Sequence, residues 1–397
     1  MRRLSGVVAL AALVALSVIT GASAAVDAAD SSDNVKLVGS TPLPGATDLE
    51  FTKDGYAVMT VNGSGQDAGL WVIDVSNPKK PKRVGHLPCA GSGYDVGLWK
   101  NIAVMSSDSA SGNSSTKKDG CNVKGTDGQE GIRLVDISDR KRPKEIKFVE
   151  TQCGSHTNIV VPRGKKAYVY VQSYPASTSG ACPEAHGIIS VVDISKPAKA
   201  KVVSQPSTSP AVGCHDGAID GTIAYMACLS EGQIWDISDP LQPEVLSHIN
   251  DVPDAIWHSA DTSNGGNIAV FGFESFGPGN ASCTGAGEGT GGALWFYDVA
   301  DPTNPIQLGH FVPPRTIDGL CTAHNFNVIP KIERDALVTA WYAGGFMVVD
   351  FTDPAAPVEF GHYVPEETST WDAKWYRGKA YVGDGSRGLD VYSVKGL

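Results

Sequence analysis

Residues 69–78 read Gly-Leu-Trp-Val-Ile-Asp-Val-Ser-Asn-Pro. A β-branched and aromatic run ends in Asp-x-Ser-x-Pro, the pattern of a buried strand running into a tight turn. The same segment returns as GIRLVDISDR from Gly131, GIISVVDISKP from Gly187, GQIWDISDP from Gly232, GALWFYDVADP from Gly292 and GFMVVDFTDP from Gly345. A worn seventh copy, GLDVYSVKGL from Gly388, has Ser393 in place of the aspartate. The aspartates (Asp74, Asp136, Asp193, Asp236, Asp298 and Asp350) are separated by 62, 57, 43, 62 and 52 residues, and 43 more lead to Ser393. The shortest interval matches one four-stranded propeller blade, and the longer ones leave room for loop insertions.

Each unit reads as four strands. The segment above is followed by a short strand such as PKRVGHLP, PIQLGHFVP or PVEFGHYVP. A third strand follows, as in TDLEFT or HTNIVVP, and then a fourth, as in YAVMTV, KAYVYV, IAYMAC or KAYVGD. No amphipathic helix of useful length appears. The repeated segment, in six good copies and one worn one, resembles the LVIVD-repeat family of β-propellers over about Val35 to Leu397. That resemblance implies an all-β, seven-bladed β-propeller of four-stranded antiparallel blades. VKLVGSTP near Val35 looks like the outer strand of a blade, so Val35–Thr41 is expected to complete the last blade and close the ring, removing open sheet edges.

The composition fits a turn-rich globular chain: 42% hydrophobic, only 19% charged, with Gly 45 and Pro 24 among 397 residues. A net charge of −11 and the lack of a basic stripe argue against nucleic-acid binding. Arg2 and Arg3, an apolar run from Gly6 to Thr20, and Ala22-Ser23-Ala24 form the pattern of a cleaved signal peptide over 1–24. The expected organisation is therefore a signal peptide at 1–24, a flexible N-terminal segment at 25–34 and one propeller domain at 35–397. The expected location is secreted or extracytoplasmic. No later apolar run is long enough to span a bilayer, and a monomer is expected.

With strands labelled a to d from the hub outward, the d–a and b–c loops share one face, the top. The Asp-x-Ser-x-Pro turns then lie at the bottom, where their carboxylates are read as caps on nearby backbone N–H groups. The seven a strands start at Asp48, Asp95, His156, His215, His258, His324 and Asp372. Strand a lines the channel, so four imidazoles and three carboxylates converge on one level of the hub. Such a set suits a transition metal such as Cu, Zn or Ni; a water-filled polar channel is the alternative. His86, His248, His310 and His362 recur in strand d and read as surface repeat residues. Some propellers hold copper at a histidine-lined hub, as in nitrous oxide reductase and the selenium-binding protein/methanethiol oxidase family, and the resemblance here is to that idea alone.

An even set of eight cysteines in an exported chain points to disulfides. A tight turn at Gly221 would face Cys214 with Cys228 across a hairpin; Cys89–Cys121, Cys153–Cys182 and Cys283–Cys321 are the simplest remaining pairs. All eight are expected at the top, pinning long b–c loops at the channel mouth. Tyr94, Trp99, Trp257, Phe326, Trp371 and Trp375 lie near the same level, where blade-to-blade packing is the simpler reading than a ligand wall. Three functions fit: a scaffold binding a small molecule, glycan or protein at its top face; a metal-dependent oxidoreductase, with copper as one option, or hydrolase; and a purely structural ring.

Overall fold

The computed structural model describes residues 30–397 apart from 64, 90–94, 108–120, 122–130, 152–153, 174–187, 209–212, 276–282 and 284–291. The expected signal peptide at 1–24 and the Cys153–Cys182 pair lie outside the described residues. Among the described residues seven antiparallel sheets follow one another along the chain, five of them built from four consecutive strands. Their innermost strands are Ala46–Phe51, Val96–Trp99, Thr157–Arg163, Asp216–Asp220, Trp257–Thr262, Phe326–Val328 and Thr370–Tyr376. The last blade is completed by Val35–Pro42, which pairs with Gly388–Val394 from Val35↔Val394 to Pro42↔Gly388. The ring closes through its N-terminal strand.

The core lies between blades. Each of seven apolar clusters takes residues from two neighbouring sheets, as where Ile234 and Tyr225 of blade four meet Phe271 and Trp295 of blade five. A middle strand is thus covered on both faces, which is why segments such as IAVFGF are apolar without a break. Trp257 is wholly buried against Phe271 and Tyr297, and Phe326 joins the cluster between blades five and six, so both serve packing.

The repeated aspartates work as read. Asp74, Asp136, Asp193, Asp236, Asp298 and Asp350 each accept the backbone N–H two residues on, at 2.7–3.0 Å. The turn so formed meets the neighbouring blade. Each strand d has a bulge, after which Gly85 lies against Arg140 and Gly309 against Pro354; a Cβ on Gly85 would sit 2.1 Å from the Arg140 carbonyl oxygen. Where serine replaces glycine it donates instead: Ser204 to the Leu241 carbonyl and Ser247 to that of Pro302, each at 2.7 Å.

One boundary moves. The segment 25–34, expected to be flexible, is docked over its described part. Asp30 and Ser31 pair with Val364 and Tyr363, adding a fifth strand to the outer edge of blade six. That edge offers unpaired backbone groups, and Asn34 fastens the junction through a 2.8 Å bond from Nδ2 to the Phe360 carbonyl.

Candidate metal centre at the hub

The four histidines form one continuous arc. Ring centroids are 4.8 Å apart for His156–His215, 3.8 Å for His215–His258 and 4.3 Å for His258–His324. His215, His258 and His324 are buried and His156 is partly so. Burial, with the neighbouring imidazoles, holds His215 and His258 well below the usual imidazole range, and burial lowers His324 to about 4. At neutral pH these rings are uncharged. His324 Nδ1 donates to the Trp371 carbonyl and His215 Nδ1 to the His258 carbonyl at 3.0 Å. A carbonyl only accepts, so the proton sits on Nδ1 and the lone pair on Nε2 in both rings.

The aspartates occupy the other arc and tie blades together. Asp48 Oδ2 accepts Val96 N–H at 2.9 Å, Asp95 Oδ2 accepts Asn158 N–H at 2.7 Å, and Asp372 Oδ2 accepts Leu49 N–H at 3.4 Å. Each bond joins an inner strand to that of the next blade. Asp261, three residues past His258, does the same for Val328 at 2.7 Å. Burial raises Asp95 and Asp372 well above the carboxylate range.

The tightest donor set differs from the ring of seven. Among the described residues, His258, His324 and Glu274 form the set whose donor atoms all lie within 4.8 Å of one another. Glu274 was not anticipated. It directly follows Ile268–Phe273, strand b of blade five, and its N–H donates to the Ile256 carbonyl at 3.0 Å. Its carboxyl lies 3.3 Å from His258 Nε2 and 3.7 Å from His324 Nε2, and the Tyr342 hydroxyl donates to Oε1 at 2.5 Å. The usable sign was a lone carboxylate capping the apolar run IAVFGF. Aligning the ends of strand b as well as the starts of strand a would have found it.

Burial raises Glu274 to about 8 and lowers both histidines, so acid and imidazoles meet as neutral groups despite ion-pair distances. The Glu274 Oε2 atom faces His258 Nε2. His258 Nδ1 is buried without a hydrogen-bond partner among the described residues. Tyr342 and Trp371 flank His324, with ring centroids 4.7 and 4.5 Å away.

Among the described residues three disulfides brace this end: Cys89–Cys121, Cys214–Cys228 and Cys283–Cys321. The second forms in a register one residue away from that expected. Asp220 pairs with Ile223, leaving a two-residue turn at Gly221-Thr222 in place of a turn at Gly221 alone. The sulfurs therefore bridge a diagonal of the hairpin.

Sequence and structure comparisons agree with this architecture. The LVIVD repeat model matches residues 64–87 and 339–364. No curated protein matches the sequence. The fold is similar to YCF48 bound to D1 peptide, at 9% identity and TM-score 0.57, covering 92% of this chain and 97% of that one. It is also similar to a functionally unknown protein from Desulfotomaculum acetoxidans, at 15% identity and TM-score 0.56, covering 84% and 90%. At these identities the likeness concerns the fold alone. The chain is a seven-bladed β-propeller with LVIVD repeats at two sites.

Proposed function

We propose that the chain is an exported binding scaffold whose hub holds one transition-metal ion on His258, His324 and Glu274, beneath a top face that engages a small molecule, glycan or protein. One observation carries the metal assignment: two imidazole nitrogens and a carboxylate from two neighbouring blades converge within 4.8 Å in a buried site. The rings are already neutral, as ligation requires, and the backbone carbonyl on His324 Nδ1 fixes the orientation of that ring. Two nitrogens and one oxygen suit Zn, Cu or Ni over Mg or Ca. His156 and His215 extend the imidazole arc beside the ligands. Disulfides support an oxidising compartment, and no helix among the described residues is long and apolar enough to cross a membrane.

A second reading, a metal-dependent oxidoreductase or hydrolase, draws on the three-donor set. Catalytic zinc sites use three protein ligands and leave the fourth position to water. Elemental analysis of the exported, untagged protein tests the proposal. The expected result is one equivalent of Cu, Zn or Ni, lost in His258→Ala and in Glu274→Gln. Metal-free protein that also refuses added metal overturns it, leaving the structural ring. Bound metal carrying an exchangeable water favours the enzyme.

A further inference from the structure

Blade six turns from strand b to strand c through residues 341–345, between Ala336–Ala340 and Phe346–Asp350. Tyr342 sits in that turn at φ +50°, in the left-handed region that a bulky L side chain rarely adopts. The next blade holds it there. Tyr342 N–H donates to the Thr370 carbonyl and Thr370 N–H to the Tyr342 carbonyl, both at 3.1 Å. Thr370 Oγ1 accepts Trp341 N–H at 2.9 Å and donates to the Gly345 carbonyl at 2.8 Å, which clasps the turn on both sides.

Blade four has the same clasp. Leu229, at φ +54°, exchanges backbone hydrogen bonds with Trp257 of blade five at 3.0 and 2.7 Å. The backbone device therefore accepts a leucine, and nothing in it calls for a phenol. The apolar core does not call for one either. Among the described residues Tyr342 is 7% exposed yet belongs to none of the seven clusters between blades, whereas its neighbour Trp341 does.

What the tyrosine adds is reach into the hub. Its hydroxyl donates to Glu274 Oε1 at 2.5 Å, and its ring meets the His324 ring edge-on with centroids 4.7 Å apart. Thr370, which pins the Tyr342 backbone, is followed by Trp371, whose carbonyl accepts from His324 Nδ1. One dipeptide at the start of the blade-seven inner strand thus steadies both Glu274, through Tyr342, and His324. The phenol occupies one carboxyl oxygen only. Oε1, 3.7 Å from His324 Nε2, already accepts it, while Oε2 is the atom 3.3 Å from His258 Nε2.

We propose that Tyr342 is a positioning residue of the hub centre, holding Glu274 so that it meets the ion through Oε2 alone. The proposal rests on the metal reading above and adds a coordination to it. One carboxylate oxygen beside two imidazoles makes a three-donor site for a four-coordinate ion, with the fourth place open. A carboxylate free to turn would offer both oxygens, the mode that larger cations use. The hydroxyl also favours the ligated carboxylate, because a donor bonds an ionised acceptor more strongly than a neutral one. Partners behind a ligand commonly set metal affinity in this way.

Titration of Co(II) into the metal-stripped full chain, followed by its visible d–d absorption, tests this in the parent and in Tyr342→Phe, which keeps the ring and loses the hydroxyl. The parent is expected to give the intense bands of four-coordinate Co(II). Tyr342→Phe should bind at least about tenfold more weakly, with weaker bands as Glu274 turns to offer both oxygens. Leu229→Ala, in the matching clasp, should change neither. With the parent binding Co(II), an unchanged affinity or an unchanged spectrum in Tyr342→Phe overturns the proposal and leaves the metal reading standing. An equal effect in Leu229→Ala also overturns it, reducing Tyr342 to a clasp residue. A parent that binds no Co(II) removes both readings. Should Tyr342→Phe fail to fold by circular dichroism, X-ray absorption of the Zn-loaded parent decides: one carboxylate oxygen at about 2.0 Å supports the assignment, and a bidentate carboxylate overturns it.

Discussion

Replacing Glu274 by Gln should make the metal-free protein more stable while removing its metal. The side chain is buried among His258, His324 and Tyr342, and its ordinary value of 4.5 is raised to about 8. Between these limits the folded state holds a proton that the unfolded state has released. Stability contributed by this group is therefore complete below 4.5 and falls as pH rises toward 8. At pH 7 the loss amounts to about 3 kcal/mol, an upper figure because it takes the full shift. Glutamine copies the protonated acid: its amide N–H can face His258 Nε2 and its oxygen can still accept from Tyr342. Urea denaturation of metal-stripped parent and variant at pH 4.5 and pH 7 measures the effect. The variant should match the parent within about 0.5 kcal/mol at the lower pH and exceed it by about 2–3 kcal/mol at the higher. Equal differences at both pH values would refute the reasoning, because the carboxylate would then be ionised in the fold and paired with a His258 imidazolium.

The acid limb should show the opposite sign for the histidines. With His324 lowered from 6.5 to about 4, stability is complete above pH 6.5 and is lost as pH falls toward 4, by about 3 kcal/mol; a His324→Gln variant should flatten that limb in a denaturation series. Gly85→Ala places a Cβ 2.1 Å from the Arg140 carbonyl oxygen and should cost about 1–3 kcal/mol or more. Gly164→Ala, at φ +63° with nothing within 4 Å, should cost only about 1 kcal/mol of backbone strain. Equal costs by urea titration would remove the latch between blades one and two. The double variant Cys214→Ala, Cys228→Ala opens a bridge with a sequence separation of 14 and should cost about 3 kcal/mol on the same assay.

The ring and its blade count were legible because the Gly-…-Asp-x-Ser-x-Pro segment recurs at fixed places, and each copy buries its flanks on two neighbours. The His/Asp level at the starts of the inner strands was legible for the same reason, and the arc from His156 to His324 follows it. What distinguishes one member of that level from another was not. Asp48, Asp95 and Asp372 spend an oxygen on the next blade's backbone, a role set by where neighbouring strands stagger, which no single unit records. Glu274 escaped because it lies on strand b and reaches the hub only through the local course of blade five. The hairpin register at Cys214–Cys228 failed by one residue, since turn length depends on the backbone conformation at Gly221 and Thr222. Asp30 and Ser31 carry too short a pattern to announce a strand.

Ring closure through Val35–Pro42 and Gly388–Val394 joins the earliest described full-length strand to the latest. During synthesis or passage through a narrow pore, the first of these must wait, with its edge unsatisfied, until the last blade has emerged. Six blades can pack in order of appearance, but the seventh cannot. The slow step of maturation should thus be an end-to-end search paid in chain entropy, and the waiting strand is the segment a chaperone would have most reason to cover.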